Sequence, residues 1–268
     1  MKEMEECTKQ VGAGAAFQLV TAFIEILLVA VAGSFLTQLA FILFGVPAGQ
    51  IMSSTSLVLI FMTTEASITL LIILALLNLR RENLQTLGWI WKNPRKEMIV
   101  GLATIPILFA STLAVSVFFR SFFPVHVSTT NPLLELIKNN IDLVLFIISS
   151  IYVGGCKEEI QRAFILDRFG RYIGGGLHRS LAISHLRDGK VKGKHGQRLG
   201  LIVGLFIWSL FFGIGHAVQG IDNAVGAGVL GLLFGLLLIW RRNLMAPMLA
   251  HALYNITTLI IFWGPLGG

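Results

Sequence analysis

Three polar clusters at helical spacing stand inside apolar stretches of the chain. They are Glu158, Glu159 and Arg162 in GGCKEEIQRAFIL, Phe212 and His216 in FFGIGH, and His251 and Asn255 in HALYN. Residues three or four apart share one face of a helix, so Glu158 and Arg162 can pair as carboxylate and guanidinium. His216 stands one turn after Phe212, and Asn255 one turn after His251. Glu159 points about 100° away from Glu158. Two adjacent carboxylates in a low-dielectric medium are not both comfortably ionised, so one can act as general base or acid while the arginine holds the other charged. Glutamate and histidine together can hold and deprotonate a water, and a second histidine with an asparagine amide can donate hydrogen bonds to a developing oxyanion. That chemistry is hydrolytic. No serine is placed with a matching base, and Cys156 beside the first cluster reads as packing. The competing explanation is structural, with an ion pair near a helix end and histidines that hydrogen-bond between helices.

The elements that must position these residues are membrane helices. Of 268 residues, 55% are hydrophobic and 13% charged, and the mean hydropathy is +0.78, outside the range of ordinary soluble domains. Apolar runs lie at Phe17 to Phe44, Ser56 to Leu79, Met98 to Phe119, Leu143 to Leu166, Leu199 to Ala217, Ala224 to Trp240 and Leu244 to Phe262. The expected fold is therefore all-α, a polytopic transmembrane bundle of seven spans. The first run exceeds what a ~30 Å core needs at ~1.5 Å per residue, so it tilts, or breaks near Gly33 to give an eighth element. The spans leave no room for a separate soluble domain, and residues 1–268 are expected to form one membrane domain with its motif-bearing core at about 140–262. No internal repeat is evident, which disfavours a transporter.

Positive charge collects on every second loop, as the orientation rule for membrane helices requires. Arg80, Arg81, Lys92, Arg95 and Lys96 follow the second span. Arg168, Arg171, Arg179, Arg187, Lys190, Lys192, Lys194 and Arg198 follow the fourth, and Arg241 and Arg242 the sixth. The N-terminus is therefore expected in the cytoplasm, and the net charge of +7 reads as topology rather than as nucleic-acid binding. The stretch from Arg168 to Arg198 is expected to be a solvated or headgroup-facing loop, with a short interfacial helix in YIGGGLHRSLAISHL opposed by its three glycines. Cys7 and Cys156 imply neither a disulfide framework nor a zinc site. No removable signal peptide is expected.

Depth relates the clusters to one another. Glu158 lies ten residues before Arg168, about 15 Å of helix, and His251 nine residues after Arg242. His216, eighteen residues after Arg198, falls towards the far leaflet unless Leu199 to Gly204 is not yet in the core. Glu25 and Glu65 also sit in apolar runs without a basic residue at i±3 or i±4; they line the same cavity, reach an interface, or pair with Arg162 from another helix.

The three stretches resemble the motifs of the CPBP superfamily, the type II CAAX prenyl proteases and the bacteriocin-processing and abortive-infection proteins. The family pattern is Glu-Glu-x-x-x-Arg, then Phe-x-x-x-His, then His-x-x-x-Asn or Asp. Phe212 to His216 and His251 to Asn255 match the second and third as they stand, and order and separation agree. The first is shifted by one residue: counting back from Arg162, Lys157 stands where the first glutamate belongs. Either a helix irregularity at Gly154 and Gly155 lets Glu158 and Glu159 take the two roles, or Glu158 alone stays in register and the catalytic position is altered.

The resemblance implies an intramembrane glutamic endopeptidase in which a glutamate and His216 activate water, His251 and Asn255 stabilise the oxyanion, and Arg162 orients the glutamates. It implies a peptide or protein substrate, lipidated or not, and no nucleic acid as partner. Glutamate and histidine would suit zinc, but no HExxH spacing is present, and neither metal nor cofactor is expected. A compact chain of this kind fits a prokaryotic cell membrane. Two other classes remain: a non-proteolytic immunity or scaffold protein of the same fold, and a transporter.

Overall fold

The computed structural model describes residues 16–173 and 192–263, and within the second segment side chains from residue 196 onward. Seven long helices follow one another: α1 (Ala16–Leu43), α2 (Thr55–Leu79), α3 (Pro94–Phe122), α4 (Asn140–Ile173), α5 (Lys192–Gly215), α6 (Ile221–Arg241) and α7 (Met245–Trp263). All seven are long and apolar enough to cross a membrane, and no strand occurs among the described residues. The expected all-helical, seven-span architecture is the one observed.

Local chemistry sets the helix starts. Ser54 caps α2 by accepting from the Leu57 amide at 3.3 Å, and Asn139 caps α4 by accepting from the Ile141 and Asp142 amides at 2.9 and 3.0 Å. Pro94 opens α3, where its missing N–H costs nothing. The first span does not break at Gly33. It runs on through a π turn at Leu28–Ala32, directly before that glycine, so there is no eighth span among the described residues.

α4 is the irregular element. Regular helix at Asn140–Ser150 gives way to a π turn at Ile151–Glu158, resumes at Glu159–Arg168, and ends in a second π turn at Phe169–Ile173. The basic stretch read as one loop is thus helical at both ends, since Arg168 and Arg171 belong to α4 and Lys192 to Arg198 to α5. Cys7, Arg179, Arg187, Lys190 and the three-glycine segment lie outside the described residues.

Small residues let the helices approach closely, as packing in lipid requires. α5 and α6 form an antiparallel pair: a Cβ on Gly213 would stand 2.7 Å from the Ala224 carbonyl oxygen. α7 packs against α3 and against the π turn of α4, where a Cβ on Gly155 would lie 2.9 Å from Ala252 Cβ.

α5 also runs antiparallel to α4, through Leu201 on Gly170, Gly204 on Phe169 and Phe212 over Arg162. The first turns of α5 therefore lie beside the end of α4, not in the middle of the core. Going four residues on from Phe212 to His216 matches going four back from Arg162 to Glu158. His216 is brought to the depth of the glutamates, which counting from Arg198 along a fully immersed helix had not allowed.

The arginine-rich end of the bundle is tied by ion pairs. Arg168, fully buried, meets Glu25 of α1 at 2.7 Å, Glu82 at 2.8 Å and Asp167 at 2.9 Å. Arg80 reaches the other oxygen of Glu25 at 2.7 Å, and Arg171 reaches Asp167 at 2.6 Å. Phe164 lies 4.4 Å from the Arg168 guanidinium carbon, giving the cation an aromatic face. On the other side of the same end, Glu97 of α3 holds Arg241 of α6 at 2.6 Å. Glu25 thus joins a cross-helix clamp rather than a cavity or Arg162.

Candidate active site

Glu159 opens the regular turn of α4 that follows the π segment, and it is fully buried. Its Oε1 accepts from Arg162 Nη1 and from His251 Nδ1, the latter at 2.7 Å. Arg162 is therefore paired with Glu159, three residues before it, and not with Glu158, as the four-residue spacing had suggested. The i, i+3 neighbour is equally within reach on a helix face.

The guanidinium is enclosed by aromatic rings. Its central carbon lies 5.1 Å from the Phe212 ring centre and 5.4 Å from that of Phe234. Phe234 in turn stacks on the His251 imidazole, with centres 4.4 Å apart and planes 17° apart. One phenyl ring of α6 thus touches the arginine of α4 and the histidine of α7. Nothing in the sequence singled out Phe234, because one phenylalanine in an apolar span is indistinguishable from packing.

Glu158 has a different environment. Its side chain keeps 16% of its surface exposed, and Oε2 stands 3.6 Å from His251 Nε2. That is too long for a direct hydrogen bond, while an atom seated beside the pair can contact both. His251 is held between two unlike carboxylates. Glu159 accepts a hydrogen bond from Nδ1–H, fixing the ring's orientation, and Glu158 faces the opposite nitrogen.

The close approach of α4 and α7 depends on Gly154. A Cβ there would stand 2.5 Å from Asn255 Nδ2 and 3.1 Å from His251 Nε2. The two side chains expected to act together converge on one bare stretch of backbone. Only a residue without a side chain lets them pack this closely against the helix.

His216 lies just past the end of α5, half-buried. Its Nδ1 is 2.7 Å from the Phe212 carbonyl oxygen. A carbonyl only accepts, so Nδ1 carries the proton and Nε2 is left as the basic nitrogen. The imidazole packs 4.6 Å from the Phe212 ring, which is itself 6.2 Å from His251. Among the described residues His216 makes no hydrogen bond or ion pair with either glutamate. It joins the cluster through Phe212 and by its depth.

The remaining intramembrane carboxylate, Glu65 of α2, pairs with Lys157 at 2.8 Å and not with Arg162. Lys157, where a glutamate was expected, faces α2, while Glu158 and Glu159 face the histidine of α7. No group of three or more histidine, cysteine or acidic side chains among the described residues is disposed to share a metal ion.

Searches of curated proteins and of solved structures return no match. Over residues 139–257, the stretch that holds all three polar clusters, the chain matches the family model of type II CAAX prenyl endopeptidase Rce1-like proteins.

Proposed function

We propose that the protein is an intramembrane endopeptidase in which Glu158 activates water for attack on a peptide carbonyl. The observation that carries this reading is the division of labour between adjacent carboxylates. Oε1 of the fully buried Glu159 holds Arg162 and His251, while Glu158 keeps part of its surface open beside His251 Nε2. A carboxylate with a free lone pair next to an oriented imidazole can take a proton from water and pass it on to the leaving amine. A proton on His251 Nε2 would make an imidazolium with Glu159 as its counter-ion, the arrangement that lets a buried histidine carry charge during acyl transfer.

Asn255 Nδ2, and His251 Nε2 in the imidazolium form, both beside Gly154, would supply hydrogen bonds to the developing oxyanion. His216, with Nε2 unprotonated, would assist the water from the opposite wall. Arg162 holds Glu159 in place. The substrate is a membrane-associated peptide, prenylated or not, and the arginine-rich end faces the cytoplasm of a prokaryotic cell.

The test is cleavage by purified protein of a panel of lipidated and unlipidated peptides, with Glu158→Ala, Glu159→Ala, His216→Ala and His251→Ala as comparisons. Each variant is expected to lose about a hundredfold or more in activity. Cleavage is expected to persist in the presence of a chelator; loss that zinc restores would put a metal where this reading puts a carboxylate. If the wild type cuts none of the peptides, or if cutting survives loss of all four side chains, the protein is a binding or scaffold member of the fold instead.

Gly154 offers a check that removes no functional group. Gly154→Ala inserts a methyl against Asn255 Nδ2 and His251 Nε2. It is expected to lower kcat/KM by about a hundredfold, the scale of a 1 Å misplacement. Gly49→Ala, on a short helical turn with open space around it, should leave cleavage unchanged.

A further inference from the structure

The π turn that ends at Glu158 is held to α2 by two polar contacts. The Tyr152 hydroxyl lies 2.9 Å from Ser67 Oγ, and Lys157 Nζ lies 2.8 Å from Glu65 Oε2. Tyr152 and Lys157 are five residues apart. On an α-helix that spacing turns the side chains about 140° from one another, whereas five residues is one hydrogen-bonded turn of a π-helix. Both side chains reach the same neighbour because the segment is wound as π. The opposite wall of the turn is fixed by Gly154 and Gly155 against α7.

The lysine is well buried, with 7% of its surface exposed. Its partner is oriented in turn: Glu65 Oε1 accepts from Thr69 Oγ1 at 3.1 Å and from Ser34 Oγ of α1 at 3.5 Å. A buried ammonium held by a carboxylate whose other oxygen is occupied has one good position. The next residue along the backbone is Glu158.

We propose that Lys157, with Glu65 as its counter-ion, is a positioning residue of the site. The pair clamps the π turn to α2 and thereby fixes the direction in which Glu158 and Glu159 leave the helix. In its effect on turnover this inference rests on the peptidase reading; in its effect on the turn it does not. Lys157 touches no reacting atom, so its loss should act on the chemical step and leave substrate binding alone.

Three variants test it: Lys157→Arg, Lys157→Gln, and the doubly neutral Glu65→Gln/Lys157→Gln, which leaves no uncompensated buried charge and so protects against simple unfolding. Peptide cleavage gives kcat and KM. Cys156, half-buried on the same turn, gives a second readout through its rate of maleimide labelling in a Cys7→Ser background. Lys157→Gln and the double variant are expected to fall about tenfold or more in kcat with KM unchanged, and to label Cys156 severalfold faster. Lys157→Arg should recover most of the turnover and the slow labelling. Wild-type kcat in a folded double variant would overturn the proposal, as would Cys156 labelling at the wild-type rate in that variant. If the wild-type protein cuts nothing, the peptidase reading fails while the clamp is judged on Cys156 labelling alone.

Discussion

Glu158→Gln is expected to unfold at the wild-type temperature in detergent while losing about 10²–10⁴-fold in kcat, the range for removal of a general base. The substitution keeps the side chain's volume and its place beside His251 Nε2. Glu158 bonds to no buried cation, so the fold loses no counter-charge. Glu159→Gln is expected to fail differently. Arg162 is fully buried and its carboxylate partner is Glu159, so neutralising that partner strands a guanidinium in low dielectric and costs roughly 3–5 kcal/mol of stability. His251 loses its acceptor in the same step. Peptide cleavage and thermal unfolding measured on both variants separate the roles. Should the two glutamines behave alike in both measurements, the division of labour between the carboxylates is wrong.

Arg168→Met is expected to cost about 3–5 kcal/mol, the scale for breaking a buried ion network from one side. Methionine fills much of the volume against Phe164, but Glu25 and Asp167 lose their meeting point, and Glu82 keeps only Arg171. Arg171→Met is the comparison. That side chain is 35% exposed, and its loss should cost under about 1 kcal/mol. Thermal unfolding of the two variants in the same detergent decides the matter, and equal shifts would mean that burial of Arg168 gives the clamp no special weight.

Most of the helical architecture was legible because lipid imposes a simple condition: backbone groups must be satisfied inside each span, so long apolar runs are helices. The seven runs read from composition correspond to the seven helices observed. The paired clusters were legible too, because polar residues in such runs stand out. What could not be read was which polar group meets which across helices. Glu65 and Lys157 lie ninety-two residues apart, as do Glu159 and His251, and nothing local announces either pair. Glu158 and Glu159 both lie within a helical turn of Arg162, and the choice between them depends on winding that begins seven residues earlier. Gly154 and Gly155 offered the only sign of it. Phe234 was invisible for a different reason: its role depends on a ring face, and sequence pattern carries no information about faces of aromatic side chains.

The length of α4 has a consequence for how the protein sits in bilayers of different thickness. Thirty-four residues at ~1.5 Å each make a rod of about 50 Å, far longer than a ~30 Å hydrocarbon core. The clamp around Arg168 fastens one end of that rod to its neighbours, so the surplus must be taken up by tilt or carried at the Asn140 end. A thicker or thinner membrane is then accommodated away from the clamp, at modest cost per ångström. The glutamates keep their depth below the arginine-rich surface, about 15 Å, whichever membrane surrounds them.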